Sequence, residues 1–150
     1  MTSLITPTIR PLRRSDEAEW RRLWTGYLTF YETSLPDEVY RSSFERMLSG
    51  GDHEFRGLVA ETDGKLVGLA HYLFHRHGWR IENVCYLQDL FVDPDRRGTG
   101  LGRRLIEAVY DAADAEGVSR VYWLTQEHNH TARALYDRIA RKSDFIQYVR

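Results

Sequence analysis

Apolar positions along the chain alternate between strand-like and helix-like spacing, and the switches between the two outline its elements. Thr8 to Leu12 reads as a short first strand. Ser15-Asp16-Glu17 then supplies an N-cap with acids in the first turn, and Trp20, Leu23, Trp24, Tyr27, Leu28 and Tyr31 recur on one helical face, so a helix is predicted to about Glu32. Pro36 interrupts it, and Asp37 to Leu48 forms a second helix that ends at Ser49-Gly50-Gly51. Phe55 to Glu61 and Lys65 to His75 are β-rich runs on either side of Asp63-Gly64, a two-residue hairpin turn. A second bend near His77-Gly78-Trp79 sends the chain back through a strand that ends at Val92. A helix from about Gly100 to Glu116 stops at Gly117, Arg120 to Leu124 is the next strand, Thr131 to about Ala140 the last helix, and Phe145 to Val149 the last strand.

This order is β, α, α, a three-strand antiparallel meander, α, β, α, β. A connection through a helix makes Arg120 to Leu124 a parallel neighbour of the strand before it. The predicted fold class is α+β, an α/β three-layer arrangement: a mixed, mostly antiparallel sheet with a splayed parallel pair at its centre and helices on both faces. Residues 1–150 read as a single domain, because 150 residues suffice for one sizeable core.

Charge and cysteine content narrow the partners. A formal net charge of −1 gives no bulk attraction for nucleic acid. The cations are almost all arginine, with Lys65 and Lys142 the lysines. Cys85 stands alone in an apolar run, which excludes an internal disulfide and reads as a buried strand residue. Met1 to Arg14 has no apolar core of signal-peptide length, and no stretch reaches membrane-spanning length, so a cytoplasmic protein is expected. The histidine pairs His75-x-His77 and His128-x-His130 lack a third ligand, so no metal is expected.

The densest chemistry lies between Tyr86 and Val109. The apolar run through Leu90-Phe91-Val92 breaks at Asp93-Pro94-Asp95 and enters Arg96-Arg97-Gly98-Thr99-Gly100-Leu101-Gly102 before the helix. A strand, a glycine-rich turn and a helix start gather unpaired N–H groups at the positive end of a helix dipole, where a phosphate can sit. The spacing is neither a Walker A loop, which would end in Gly-Lys-Ser or Gly-Lys-Thr, nor a dinucleotide fingerprint. Glycines that only make a tight turn are the alternative, and the two arginines before them favour an anion.

The run Leu90 to Arg103 resembles the acetyl-CoA signature of the GCN5-related N-acetyltransferases, in which an Arg or Gln is followed by x-x-Gly-x-Gly or Ala. Asn129-His130-Thr131-Ala132-Arg133-Ala134-Leu135-Tyr136 is similar to that family's Asn, Ala and Leu-Tyr helix, and the element order matches end to end. Within the superfamily, Tyr86 to Val92 and Asp137 to Phe145 look most like the diamine acetyltransferases and the yeast histone and polyamine acetyltransferase group.

The resemblance implies direct transfer of an acetyl group from acetyl-CoA to a primary amine of a small molecule, polyamine or amino-acid-like. Protein lysines are an alternative acceptor, and a domain that senses acetyl-CoA without transfer is another. Backbone N–H groups of Gly98, Thr99, Gly100, Leu101, Gly102 and Arg103, beside Arg97, would hold the pyrophosphate. Leu90, Phe91 and Val92 would pair with the pantetheine arm like an added strand. Asn129 would hydrogen-bond the arm, or cap the helix that opens at Thr131. Tyr136 would protonate the departing thiolate.

Gln88 stands where the diamine acetyltransferases have a glutamate, and a glutamine cannot act as a base. Asp89 is the neighbouring candidate base, an attractor of a cationic substrate, or a buried paired carboxylate. Strand alternation sends it and Gln88 to opposite faces unless a bulge intervenes. Glu82, Glu127 and His128 are further base candidates. Tyr31 and Glu32, with Gln88 and Asp89, are the predicted acceptor contacts, while Tyr27 and Phe30 read as helix packing. The family's habit of pairing through its last strands implies a homodimer.

Overall fold

The computed structural model describes residues 5–150, so the expectation of no leader, read over Met1 to Arg14, lies partly outside the described residues. The strands are β1 (Thr8–Pro11), β2 (Arg56–Thr62), β3 (Lys65–His75), β4 (Val84–Val92) and β5 (Val121–Tyr122), and the helices are α1 (Glu17–Phe30), α2 (Asp37–Ser49), α3 (Leu101–Ala115) and α4 (His130–Ile139). The five strands form one sheet in the order β1-β2-β3-β4-β5. Every pairing is antiparallel except β4 with β5.

The β2–β3 hairpin turns as expected, because Asp63 and Gly64 both take positive φ, 50° and 76°. Helices cover both faces. On one side α1 and α2 bury Trp20, Leu23, Trp24, Leu28 and Phe44 against Val59, Leu66 and Leu69 of the sheet. On the other, Leu101, Leu105, Ile106 and Val109 of α3 pack on Val67, Ala70, Cys85 and Leu87. Close contact there depends on Gly68, where a Cβ would stand 3.0 Å from Leu105 Cδ1.

Four expectations are corrected. Ser15 does not cap α1: a 3₁₀ turn over Arg14–Asp16 precedes it, and Asp16 instead accepts from the Arg13 N–H at 2.7 Å and from Arg10 at 2.8 Å. The last strand is not formed, because residues 145–149 find no sheet partner among the described residues. Phe145, Ile146, Tyr148 and Val149 are left 76% or more exposed. The parallel pair consequently lies at the sheet's edge rather than its centre, and the strand expected over Arg120 to Leu124 shrinks to Val121–Tyr122.

Candidate active site

Sheet geometry opens the site. β4 and β5 pair only at Cys85 with Val121 and Tyr86 with Tyr122. Beyond that the chains part, and Leu87, Gln88 and Leu90 face Trp123, Leu124 and Thr125 across a cleft. A bulge contributes to the divergence: Tyr72 of β3 lies opposite Leu87 and His71 opposite Asp89, which leaves Gln88 as the extra residue of β4. The face pattern records it. Cys85 and Leu87 join the α3 side, and so do Leu90 and Val92, a shift of one residue. Asp89 and Phe91 turn toward α1. Gln88 is therefore exposed beside the cleft and Asp89 is buried.

Tyrosines from two helices close the cleft. Tyr27 and Tyr31 come from the end of α1, their rings 5.0 Å apart, and Tyr136 comes from α4 with its ring 5.4 Å from Trp123. Burial pushes the Tyr136 phenol up to about 12, with Tyr31 adding a smaller effect. Burial likewise raises Tyr27 and Tyr31, and in both the nearby Asp89 carboxylate adds to the rise because its charge opposes a phenolate.

Beneath these rings runs a buried polar chain. The Trp20 indole N–H donates to His71 Nε2 at 2.9 Å, and His71 Nδ1 lies 2.8 Å from Asp89 Oδ2. Trp20, His71 and Asp89 are all under a tenth exposed.

At the far end of β4 the chain turns through Gly98 and Gly100, at φ 79° and 82°, into α3. No side chain caps α3, and its first internal bond runs from the Arg104 N–H to the Gly100 carbonyl. The N–H groups of Leu101, Gly102 and Arg103 precede that bond and are the orphan donors of the helix start. Open space lies above Gly98 and Gly100, where a Cβ would meet nothing within 4 Å. This donor set and clearance fit a pyrophosphate, and the cleft between β4 and β5 fits an extended chain leading from it. Arg97 lies beside the turn, its guanidinium 5.7 Å from the Phe30 ring centre and 5.6 Å from that of Phe91. These three residues line a groove of about 440 Å³ between α1 and the end of β4.

Comparison with known proteins agrees with this geometry. Residues 18–140 match the model of the acetyltransferase (GNAT) family. The chain belongs to the GNAT acetyltransferase family. It is an acyl-CoA-dependent N-acetyltransferase. The D-amino-acid N-acetyltransferase HPA3 of Saccharomyces cerevisiae is 38% identical over 143 residues, which span 95% of this chain and 89% of that protein. The thialysine N-epsilon-acetyltransferase of Mus musculus is 30% identical over 136 residues, 85% of this chain and 79% of that one. Among solved structures, the aminoglycoside acetyltransferase AAC(6')-Iy in complex with a bisubstrate analogue superposes with a TM-score of 0.85. At 21% identity, over 97% of this chain and 98% of that one, it shares the fold.

In this acetyltransferase the expected site residues separate into two groups and a remainder. Gln88, Leu90, Tyr31 and Tyr136 meet at the cleft. Arg97, Gly98, Thr99, Gly100, Leu101, Gly102 and Arg103 form the turn and helix start, with the Arg103 side chain turned away to Glu107 at 2.8 Å. Asn129 takes the capping role: its side-chain oxygen accepts from the Ala132 N–H at 3.4 Å. Glu32, at φ 56°, is exposed in the turn after α1 and does not line the cleft. Glu82 is exposed and paired with Arg80, and Glu127 and His128 are exposed. Phe91 and Val92 flank the groove and the turn rather than the cleft.

Of the two residues read as helix packing, Tyr27 does pack on the α1-side core and Phe30 does not. Tyr27 borders the cleft, and Phe30 is 48% exposed on the groove, because α1 ends there and its apolar stripe outruns the sheet. The sequence carries no site expectation for Trp123, Thr125 or His71, and it marks Trp20 only as part of the apolar face of α1. The signal for His71 is cross-strand register with Asp89, and the bulge at Gln88 hides that register.

Proposed function

We propose that this acetyltransferase moves the acetyl group of acetyl-CoA onto the primary amine of a small polyamine-like or amino-acid-like molecule. Residues 1–150 act as a single catalytic domain, in the cytoplasm. The observation that carries this reading is the cleft, which begins where β4 and β5 part and gathers Tyr31 and Tyr136 from two helices around Gln88, on the strand that leads to the anion-binding turn. Aromatic walls on both sides favour a narrow aliphatic ammonium over a peptide. The names of the two relatives, one acting on D-amino acids and one on thialysine, support a small amine.

Acetyl-CoA would supply an activated thioester; the N–H groups from Gly98 to Arg103 beside Arg97 would hold its pyrophosphate, and the backbone of Leu90, Phe91 and Val92, with the Asn129 side chain, would hold its arm. Tyr136, kept protonated by burial, donates to the departing sulfur. Tyr31 and Gln88 orient the amine, and Glu32, exposed in the turn next to Tyr31, adds negative charge outside the cleft. Asp89 receives the proton the ammonium loses, the role Gln88 cannot fill. A thiol-release assay across D- and L-amino acids, diamines and a lysine-rich peptide tests this: turnover confined to small amines is expected, and faster turnover on the peptide would reject it.

The protein works as a homodimer. Support comes from the C-terminal segment, whose exposed apolar residues have no partner strand among the described residues, and from the outer edge of β5, which likewise pairs with none of them.

A further inference from the structure

The buried chain behind Tyr27 has a hydrogen-bond polarity that follows from its first member. An indole N–H can only donate, so the 2.9 Å contact from Trp20 requires a bare lone pair on His71 Nε2. With Nε2 accepting, the ring proton is on Nδ1 and points at Asp89 Oδ2, 2.8 Å away. His71 is then a neutral imidazole and a donor, and Asp89 is an acceptor whose negative charge nothing cancels. Among the described residues no arginine or lysine lies within ion-pair distance of Asp89, and its remaining neighbours with titratable groups are the phenols of Tyr27 and Tyr31 from α1 and Tyr86 on its own strand. Two of these, Tyr27 and Tyr31, form a wall of the cleft.

We infer that Trp20 and His71 are positioning residues that hold Asp89 as an uncompensated carboxylate behind the acceptor cleft, so that it attracts the acceptor as an ammonium and then takes its proton. The inference rests on the amine-acetyltransferase reading of the same cleft. A histidine bonded to a carboxylate would ordinarily be free to take a second proton and become its counter-ion, which would cancel both functions. The Trp20 N–H occupies the position where that proton would bind. His71 engages Oδ2, and the Tyr27 hydroxyl, also hydrogen-bonded to the carboxylate, stands between it and the cleft: an ammonium N–H bond breaks, the amine keeps the electron pair for attack on the thioester, and an O–H bond forms on Asp89. The Tyr27 hydroxyl, beside Asp89 at the cleft wall, can pass that proton by taking one and releasing its own.

Three variants and one spectrum test this. Trp20→Phe removes the indole donor and leaves an aromatic ring, so His71 can become imidazolium. Its kcat/KM for the amine is expected to fall about tenfold below wild type at pH 6 and to converge with wild type by about pH 9. His71→Leu removes the donor to Asp89 and is expected to lower kcat/KM for the amine about 30-fold, with acetyl-CoA affinity within about twofold. His71→Asn, whose amide N–H can replace Nδ1–H, is expected to recover most of that loss. A Trp20→Phe profile parallel to wild type at every pH, or His71→Leu as active as His71→Asn, overturns the inference. Nitrogen-15 spectra of histidine-labelled wild-type protein at pH 7.5 are expected to show His71 protonated at Nδ1 alone. Protonation at Nε2 overturns the inference even if His71→Leu fails to fold. Should the wild-type enzyme acetylate no amine, the acceptor reading fails separately, and this spectrum still decides the state of the chain.

Discussion

Tyr136 gains from burial one property and loses another. Desolvation pushes its phenol up to about 12, which makes it a weaker acid than free tyrosine and also keeps the proton in place at any ordinary working pH. In the proposed role of donor to a developing thiolate, Tyr136 needs the proton present more than it needs a low pKa. Tyr136→Phe should therefore lower kcat about 100-fold while acetyl-CoA affinity, measured by calorimetry, stays within about twofold. The sign of the shift also fixes the pH profile. With its phenol at about 12, Tyr136 keeps its proton between pH 8 and 10, so an alkaline fall in rate over that range should be unchanged in shape in the Tyr136→Phe variant. A limb that disappears in that variant would show that the phenol titrates there and is not buried as described.

The elements form where local chemistry and tertiary packing agree. β3 runs over Lys65–His75, its predicted span, since a turn with two positive-φ residues fixes one end and a continuous apolar run fixes the rest. The turn into α3 was legible for the same reason, and it carries a prediction of its own. Gly100 sits at φ 82° with open space where a side chain would stand, so Gly100→Ala costs about 1 kcal/mol of backbone strain and places a methyl in the space proposed for the phosphate. The KM for acetyl-CoA should rise about tenfold with kcat for the amine little changed. Less legible was anything set by long-range contact. The start of α1 depends on Asp16, which Arg10 of β1 holds well below the usual carboxylate range; Ser15 offered the stronger local signal and lost to an ion pair across 6 residues of chain. A carboxyl that titrates lower folded than unfolded stabilises the protein above its unfolded value of about 4 and loses that contribution as pH falls through the folded one. Asp16→Asn should thus destabilise by about 3 kcal/mol in urea unfolding at pH 7, and the gap between variant and parent should narrow by pH 3. Equally hidden was the bulge, because no residue near Gln88 marks it; only the one-residue shift of apolar positions from Cys85 and Leu87 to Leu90 and Val92 does, and that pattern is visible once both core faces are known.

At the scale of the whole molecule the sheet ends too early. β5 has two paired residues and an outer edge that pairs with no strand among the described residues, while the segment after α4 holds Phe145, Ile146, Tyr148 and Val149 at 78%, 76%, 89% and 83% exposure. Apolar residues on both faces of a five-residue run suit a strand covered on both sides. Burying four such side chains is worth roughly 6 kcal/mol or more at about 1.5–3 kcal/mol each, enough to hold two chains together once the pairing is reciprocal. The proposed homodimer supplies that cover if each copy lends residues 145–149 to the edge of the other. The consequence reaches the active site, since Leu124, at the end of that edge, is both 56% exposed and part of the cleft wall. Sedimentation velocity on the full chain should give a dimer at micromolar concentration. Removal of residues 145–150 should give a monomer that still binds acetyl-CoA, because the turn at Gly98 to Arg103 is untouched, but that turns over the amine at least about tenfold more slowly, because the wall at Leu124 and Thr125 loses its support. A full-length monomer, or a truncated chain that remains dimeric, rejects the tail as the joining element; a truncated monomer with unchanged kcat/KM keeps the joining role and removes the link to the cleft.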